Sequence, residues 1–127
     1  SFLIGCCLIY LTHLTNIISP YFAACLLWYP ALECLFSMIR KKFLKKSVTE
    51  PDNKHLHQLI FSFFKIKLNL KIKILNTLTG ISINIFNILL FIYAYNNIFQ
   101  TKNLIIGIIF ATITYNIIYF YLIKILK

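Results

Sequence analysis

Long apolar stretches limit what this chain can fold into. Runs of about 18 or more largely uncharged residues recur along the sequence, the length a helix needs to cross a hydrocarbon core roughly 30 Å thick. The 127 residues are 60% hydrophobic and 13% charged, whereas soluble domains are about half apolar and a quarter charged. The mean hydropathy is +0.80. The sequence therefore predicts an all-α membrane protein.

Prolines and polar segments divide the apolar stretches into about four predicted transmembrane spans. These spans cover residues 2–18, 21–39, 74–95 and 104–123. The first ends at Ser19-Pro20, because proline stops a helix and favours a turn. Within the second span Pro30 removes one backbone hydrogen bond, so we expect a kink there. Trp28 and Tyr29 lie near the middle of that span and are expected to pack against neighbouring helices.

The cysteines and the first residue say little about function. All four thiols lie inside apolar spans, where cysteine acts as a small packing residue, and metal-type Cys-x-x-Cys spacing is absent. No basic segment precedes the first apolar run, so we do not expect a signal peptide. The chain begins with Ser1, and we expect either a removed start or a piece of a longer protein.

Basic residues are concentrated between the second and third spans, in a predicted loop over residues 40–73. Ten of the thirteen basic residues lie there: Arg40, Lys41, Lys42, Lys45, Lys46, Lys54, Lys65, Lys67, Lys71 and Lys73. With four spans, Lys124 and Lys127 fall on the same side and Lys102 on the other. The positive-inside rule then makes the loop and the C-terminus cytoplasmic.

The excess of positive charge in this loop has two interpretations. It orients the spans and attracts anionic membrane lipids, at about 1 kcal/mol per basic residue near the surface. Alternatively, some of these groups bind substrate phosphates. Residues 59–70 (LIFSFFKIKLNL) also fit an interfacial amphipathic segment, with Lys65 and Lys67 extending their charges to the interface.

The candidate binding residues Asp52, His55 and His57 lie close together within the predicted loop. An imidazole can contact a phosphate or sugar through one nitrogen while a carboxylate orients the other, and Asp52 is the expected orienting carboxylate. A metal site is not expected, because zinc needs three or four ligands and the remaining histidine lies inside a span. A purely structural loop is the alternative interpretation.

Glu33 and Arg40 form a second polar pair, near the end of the second span. A carboxylate inside a membrane is costly and points to function or to pairing. The two residues are seven apart, two helical turns on one face, so both can face one cavity. Arg40 is the only arginine in the chain, and its planar fork suits bidentate phosphate recognition. Catalytic triads, phosphate-binding glycine loops and nucleic-acid modules are not found, so no nucleic-acid partner is expected.

One compound motif resembles a known family. It consists of Trp28-Tyr29-Pro30-x-x-Glu33-x-x-Phe36-Ser37-x-x-Arg40-Lys41, then Ser47 and Pro51-Asp52-x-x-His55-Leu56-His57-Gln58-Leu59. This run resembles the C-terminal part of the polyprenyl-phosphate N-acetylhexosamine-1-phosphate transferases, in particular the bacterial undecaprenyl-phosphate GlcNAc-1-phosphate transferase branch. The remaining spans resemble that family in hydropathy alone.

The resemblance implies a reaction and a set of partners. Such enzymes transfer a sugar 1-phosphate from a UDP-sugar to a polyprenyl phosphate at the cytoplasmic face of the bacterial inner membrane, for cell-envelope polysaccharide synthesis. They require Mg²⁺. By match to the family motif, Arg40 contacts the nucleotide diphosphate, and His55 and His57 bind substrate. Asp52 lies within the same motif and is included in the predicted substrate-binding set.

The chain also departs from the family pattern. The family's catalytic and Mg²⁺-binding aspartates lie in earlier cytoplasmic loops, whereas the only aspartate here is Asp52. Gln58 replaces the commoner third histidine. We therefore expect residues 1–127 to be the C-terminal transmembrane portion of a larger transferase, without catalytic residues, inactive alone and packed against the enzyme's N-terminal helices. The alternatives are a small four-span interaction protein without catalytic activity and a piece of a sugar or lipid transporter.

Overall fold

Helices make up every regular element in the residues that the computed structural model describes, which are 2–15, 19–43 and 54–126. In chain order they are α1 (Phe2–Thr15), α2 (Pro20–Leu26), α3 (Trp28–Phe43), α4 (Leu56–Lys67), α5 (Ile72–Asn96) and α6 (Thr101–Ile125). The all-α prediction is therefore confirmed for the described part of the chain.

Helices α5 and α6 are each long and apolar enough to cross a membrane. Both have 25 residues, or about 37 Å at 1.5 Å per residue. They coincide with the predicted spans at 74–95 and 104–123, and each helix extends those ranges by one to three residues at either end. The described residues therefore belong to a helical membrane protein with two candidate spans, or three if a bent helix pair is counted as one.

Residues 97–100 join α5 to α6 in a short turn. The turn is closed by side chains: Asn103 Nδ2 donates to Asn97 Oδ1 at 2.7 Å, and Tyr93 Oη donates to the Asn103 carbonyl at 2.9 Å. The Tyr93 ring lies against Gly107, where an added Cβ would meet the ring at 2.6 Å. An alanine at 107 would therefore require the Tyr93 ring to move.

The second predicted span is a broken helix, and its break is not at the predicted residue. Helices α2 and α3 meet at an angle of 69°, with Leu27 between them, whereas we expected a kink at Pro30. The proline ring conflicts with the carbonyl four residues earlier, on Leu26. Starting a new helix at Trp28 puts Pro30 in the first turn, where a missing N–H costs nothing.

Helix α2 begins at the turn between α5 and α6. Ser19 is its N-cap and Pro20 its first residue, which confirms the helix boundary predicted at Ser19-Pro20. The Ser19 hydroxyl accepts a hydrogen bond from Thr101 Oγ1 at 3.0 Å, and the Ser19 N–H donates to the Ile98 carbonyl at 3.4 Å. Ser19 thus attaches the start of α2 to residues 97–101 at this end of the bundle.

Helix α1 is shorter than the predicted first span over residues 2–18. Its 14 residues extend about 21 Å, less than the thickness of a hydrocarbon core. Residues 16–18 lie outside the described part of the chain. The described residues therefore contain two helices long enough to span a membrane and one bent pair, and the predicted count of four spans is not confirmed.

Part of the predicted loop over residues 40–73 is helical. Helix α3 continues to Phe43, and α4 occupies Leu56–Lys67. The predicted amphipathic segment at 59–70 is thus helical over most of its length. However, α4 begins three residues earlier, and its first turns bury Leu56 and Leu59 against α5 and α6. Residues 44–53 lie outside the described part.

The core lies where α3 and α4 meet α6. Its buried residues are Trp28, Leu56, Leu59, Ala111, Tyr115, Tyr119 and Leu122. A second small cluster joins Cys25 to Ala94 and Leu104. Among the cysteines, Cys25 is a buried packing residue as predicted, whereas Cys6, Cys7 and Cys34 are exposed in the described structure.

Candidate functional site

Glu33 lies at the centre of the most polar buried cluster in the described residues. It is 7% exposed, and both of its carboxylate oxygens accept hydrogen bonds. Oε1 accepts from the Tyr29 hydroxyl at 3.1 Å and from the Leu56 backbone N–H at 2.9 Å, while Oε2 lies 2.7 Å from His55 Nδ1. These four residues are called the α3–α4 junction below.

The junction exists because helix α4 begins against α3. The first N–H groups of a helix lack partners inside it and favour a negative charge nearby. Glu33 supplies that charge from another helix, and its bond to Leu56 satisfies the first N–H of α4. Gln58 closes the same turn, because its Oε1 accepts from the His55 N–H at 3.2 Å.

The two predicted binding histidines stand side by side at the start of α4. The His55 and His57 rings are stacked, with centroids 5.6 Å apart and planes only 10° from parallel. His55 is held by Glu33 and half-buried, whereas His57 is exposed. A crevice of about 340 Å³ lies beside His57 and Gln58, with Asn76 and Thr79 of α5 on its other wall.

Arg40 lies two helical turns after Glu33 on α3, about 10 Å farther along the axis. One of its terminal nitrogens donates to the Tyr119 hydroxyl at 2.8 Å, and its guanidinium carbon is 5.4 Å from the centre of the same ring. Tyr119 stacks on Tyr115, with ring centroids 5.9 Å apart. Arg40 thus lies against α6, with its planar group held over an aromatic face.

Trp28 anchors the beginning of α3. It is 4% exposed, and its indole N–H donates to Thr112 Oγ1 at 3.2 Å. Its ring meets Tyr115 edge-on and packs against Phe86 of α5. The prediction that Trp28 packs between helices is therefore confirmed, and its contacts set the direction in which α3 leaves α2.

An apolar cavity of about 280 Å³ lies beside the junction, between α3, α4, α5 and α6. Trp28, Tyr29 and Tyr115 contribute to its lining. The Tyr115 hydroxyl is fully buried and lies within electrostatic range of Glu33, but within the described residues it makes no hydrogen bond of acceptable geometry. A buried hydroxyl without a partner is costly, and Glu33 is a polar group that lies near this one.

The structure places the predicted site residues as follows. Arg40 and Glu33 share one face of α3, as their spacing predicts, but each has its own partner. His55 joins that face through Glu33, and His57 stacks beside it. Asp52, the carboxylate we expected to orient a histidine, lies outside the described residues. The carboxylate that contacts His55 in the structure is Glu33.

The sequence reasoning missed the pairing of Glu33 with His55 and the roles of three tyrosines. Tyr29 precedes Glu33 by four residues, a spacing that puts both on one helix face, and this signal was available in the sequence. Tyr115 and Tyr119 carried no signal, because their positions on α6 meet α3 only in the folded chain. Within the described ranges, no three histidine, cysteine or acidic side chains come together as metal ligands.

The fold and this site define a polytopic helical membrane protein with a buried carboxylate–histidine pair. Comparison of the chain with protein-family models, with curated proteins and with solved structures found no match.

Proposed function

We propose that this chain is the C-terminal part of an integral membrane transferase. The enzyme moves an N-acetylhexosamine 1-phosphate from a UDP-sugar to a polyprenyl phosphate for cell-envelope polysaccharide synthesis. In the reaction, an oxygen of the lipid phosphate forms a bond to the sugar-bearing phosphorus. The bond from that phosphorus to the bridging oxygen of UMP breaks, and UMP leaves.

The observation that supports this proposal most is a contact between the two segments of the motif. Residues 28–41 and 47–59 resemble the transferases in sequence, and the structure describes residues 54–59 of the second segment. The bond between Glu33 and His55 joins the two segments at 2.7 Å, across 22 positions of the chain. A carboxylate at the end of a membrane helix that pairs with a histidine is a candidate functional site.

The proposed site matches the charge of its substrates. A UDP-sugar and a lipid phosphate bring several negative charges together, which basic side chains must balance. Arg40 presents a planar fork suited to phosphate oxygens, and the His55 and His57 rings stand at the beginning of α4. Phosphate binding would require Arg40 to exchange or share its Tyr119 contact.

Mg²⁺ is expected in the complete enzyme but not on the described residues of this chain. Both oxygens of Glu33 already accept hydrogen bonds, and no group of three acidic, histidine or cysteine side chains forms there. Bound Mg²⁺ would balance phosphate charge. By the resemblance to the transferases, we expect its ligands in the N-terminal part of the enzyme, and we expect this chain alone to be inactive.

We further propose four spans, with the segment 40–73 and the C-terminus on the cytoplasmic side of the bacterial plasma membrane. The excess of basic residues at that end of α3, α5 and α6 supports this orientation. A thiol introduced at position 53 and labelled in intact cells tests it. Labelling by an impermeant reagent from outside the cell would contradict the orientation and the site together.

The catalytic proposal is tested in the full-length enzyme with Arg40→Ala, His55→Ala and His57→Ala. We expect each to reduce the formation of lipid-linked pyrophosphate, roughly 10-fold or more. Lys65→Ala is the matched control, because Lys65 is an exposed basic residue near the far end of α4. Product formation unchanged in all three variants would overturn the assignment of the site.

The alternative is a small interaction protein without a substrate. The coding region upstream of Ser1 distinguishes this class from the transferase. An in-frame extension with cytoplasmic loops rich in paired aspartates supports the transferase. A start codon directly before Ser1 supports the rival.

A further inference from the structure

We propose that Glu33 is a positioning residue that holds the His55 imidazole with a proton on Nδ1, so that Nε2 is the nitrogen offered to a substrate phosphate. The inference rests on the proposed function for the identity of that substrate. It rests on the structure for the orientation of the ring, which the bond between Glu33 Oε2 and His55 Nδ1 sets.

The chemistry of the pair determines where the proton lies. An ionised carboxylate can accept hydrogen bonds but cannot donate one. The 2.7 Å separation between Oε2 and Nδ1 is typical of a charge-assisted bond. Nδ1 must therefore carry the proton, and in the neutral ring Nε2 is left with a lone pair. In the imidazolium form Nε2 also carries a proton and can donate it to a phosphate oxygen.

Glu33 is itself firmly held, which a positioning residue requires. Its other oxygen accepts from Tyr29 Oη and from the Leu56 N–H, so the carboxylate is fixed both to its own helix and to α4. The backbone beside the His55 ring is fixed by Gln58. The His55 ring is therefore held through its side chain by Glu33 and through its backbone by Gln58. Turning the ring away would break the bond to Glu33.

His57 provides an internal comparison. Its ring stacks on that of His55 with the two planes nearly parallel, but His57 is exposed, and within the described residues it makes no contact with a carboxylate. The two rings are neighbours, and of the two only His55 is held by Glu33. An effect of Glu33 on the tautomer should therefore appear at His55 and not at His57.

The first experiment reads the tautomer directly by ¹⁵N NMR of histidine-labelled, full-length protein in bilayers. Comparison with His55→Asn assigns the His55 signals. We expect Nδ1 of His55 to be protonated in the wild-type protein. An unprotonated Nδ1 in the wild type would overturn the inference without any Glu33 variant, so misfolding of a variant cannot obscure the result.

The substitution Glu33→Gln makes a sharper prediction. Two donors, Tyr29 Oη and the Leu56 N–H, face the Oε1 position, and one faces the Oε2 position. The amide oxygen should take the position with two donors, which turns the NH₂ group toward His55. Nδ1 must then accept, so the neutral ring should switch to a proton on Nε2, while the His57 signals stay unchanged. A His55 tautomer that is the same in both proteins would contradict the inference.

The second experiment measures transfer by the full-length enzyme. We expect Glu33→Gln to lower kcat/KM by roughly 10- to 100-fold, as is typical when the partner of a functional histidine is lost. In a His55→Ala background the same substitution should have no further effect, because the two residues act as one unit. Lys65→Ala is the control, since Lys65 is exposed near the far end of α4 and contacts neither Glu33 nor His55 in the described structure.

The two proposals fail in different ways. If His55→Ala leaves transfer unchanged, the proposed role of His55 in the reaction is wrong, whatever the tautomer. If His55→Ala abolishes transfer but Glu33→Gln alters neither the tautomer nor kcat/KM, the function stands and the positioning role is wrong. A further loss from Glu33→Gln in the His55→Ala background would likewise overturn the positioning role.

Discussion

Helices α5 and α6 are uninterrupted apolar helices of 25 residues each, whereas α2, α3 and α4 are shorter pieces of seven to sixteen residues. The long pair satisfies its backbone internally and needs few specific contacts. The short pieces expose helix ends inside the bundle, and each of those ends must find a partner. Glu33 supplies a partner at the start of α4, and Ser19 supplies one at the start of α2. The candidate site thus lies where the chain is broken, because a break brings polar groups together that a continuous span would keep apart.

The largest expected effect tests how strongly the short helices α2, α3 and α4 depend on the contacts of Trp28. Trp28→Ala should lower the free energy of unfolding by about 3–5 kcal/mol, because it empties a well-packed position and removes the bond to Thr112. Denaturant titration in detergent micelles measures the loss. Phe110→Ala on the long pair is the control, since Phe110 is 68% exposed. A similar loss of unfolding free energy in both variants would show that Trp28 contributes no more to stability than an exposed aromatic residue.

Removing the carboxylate of the junction should act more locally than removing Trp28. Glu33→Leu leaves Tyr29 Oη and the Leu56 N–H without their acceptor, at about 1–3 kcal/mol per buried group left unpaired. We expect faster amide hydrogen exchange at the beginning of α4 and little change in α5 and α6. Equally faster exchange in α4, α5 and α6 would mean that the α3–α4 junction does not stabilise α4 separately from the two long helices.

Two glycines test the packing between the long helices: Gly107 on α6 and Gly80 on α5. Gly107→Ala places a Cβ against the Tyr93 ring and should destabilise by about 1–3 kcal/mol. Gly80→Ala is the matched substitution on α5, where an added Cβ meets nothing within 4 Å, and it should stabilise by about 0.5–1 kcal/mol. Unfolding midpoints that shift in the same direction for both would contradict the close approach at Gly107.

The smallest expected effect concerns one hydrogen bond between the halves. Thr112→Val keeps the shape of the side chain and removes the acceptor for the Trp28 indole, at a cost of about 1 kcal/mol. Thr114→Val is the control, because Thr114 lies on the exposed side of the same helix and bonds only to its own backbone. Unfolding free energies that differ by less than the measurement error would show that packing alone holds Trp28.

Hydropathy was sufficient to predict α5 and α6, because a long apolar run without prolines has no other stable form in a membrane. It was not sufficient for the second span. Pro30 was recognised as a disruption, but the break falls at Leu27, since the conflict is with a carbonyl four residues earlier. The amphipathic segment was predicted at 59–70, and α4 begins three residues earlier because Leu56 packs into the core.

The residues of the candidate site could be named from the sequence, but only some of their contacts could. His55, His57 and Arg40 were identified by residue type and motif, and spacing placed Arg40 and Glu33 on one face. The partner of His55 was sought among its sequence neighbours, which favoured Asp52. Glu33 lies 22 residues away on another helix, and that contact depends on how α3 and α4 pack, which local patterns do not encode.

The contacts that hold α2 and α3 to α6 have a consequence for synthesis. Cys25, Trp28 and Arg40 bond to partners 79 to 84 residues later in the chain, whereas Glu33 and His55 are separated by only 22. During translation the nearby pair can form while the ribosome is still producing the last helices. The angle between α2 and α3 can be fixed only after α6 has been synthesised. A chain released before residue 112 would lack the hydrogen bond between Trp28 and Thr112.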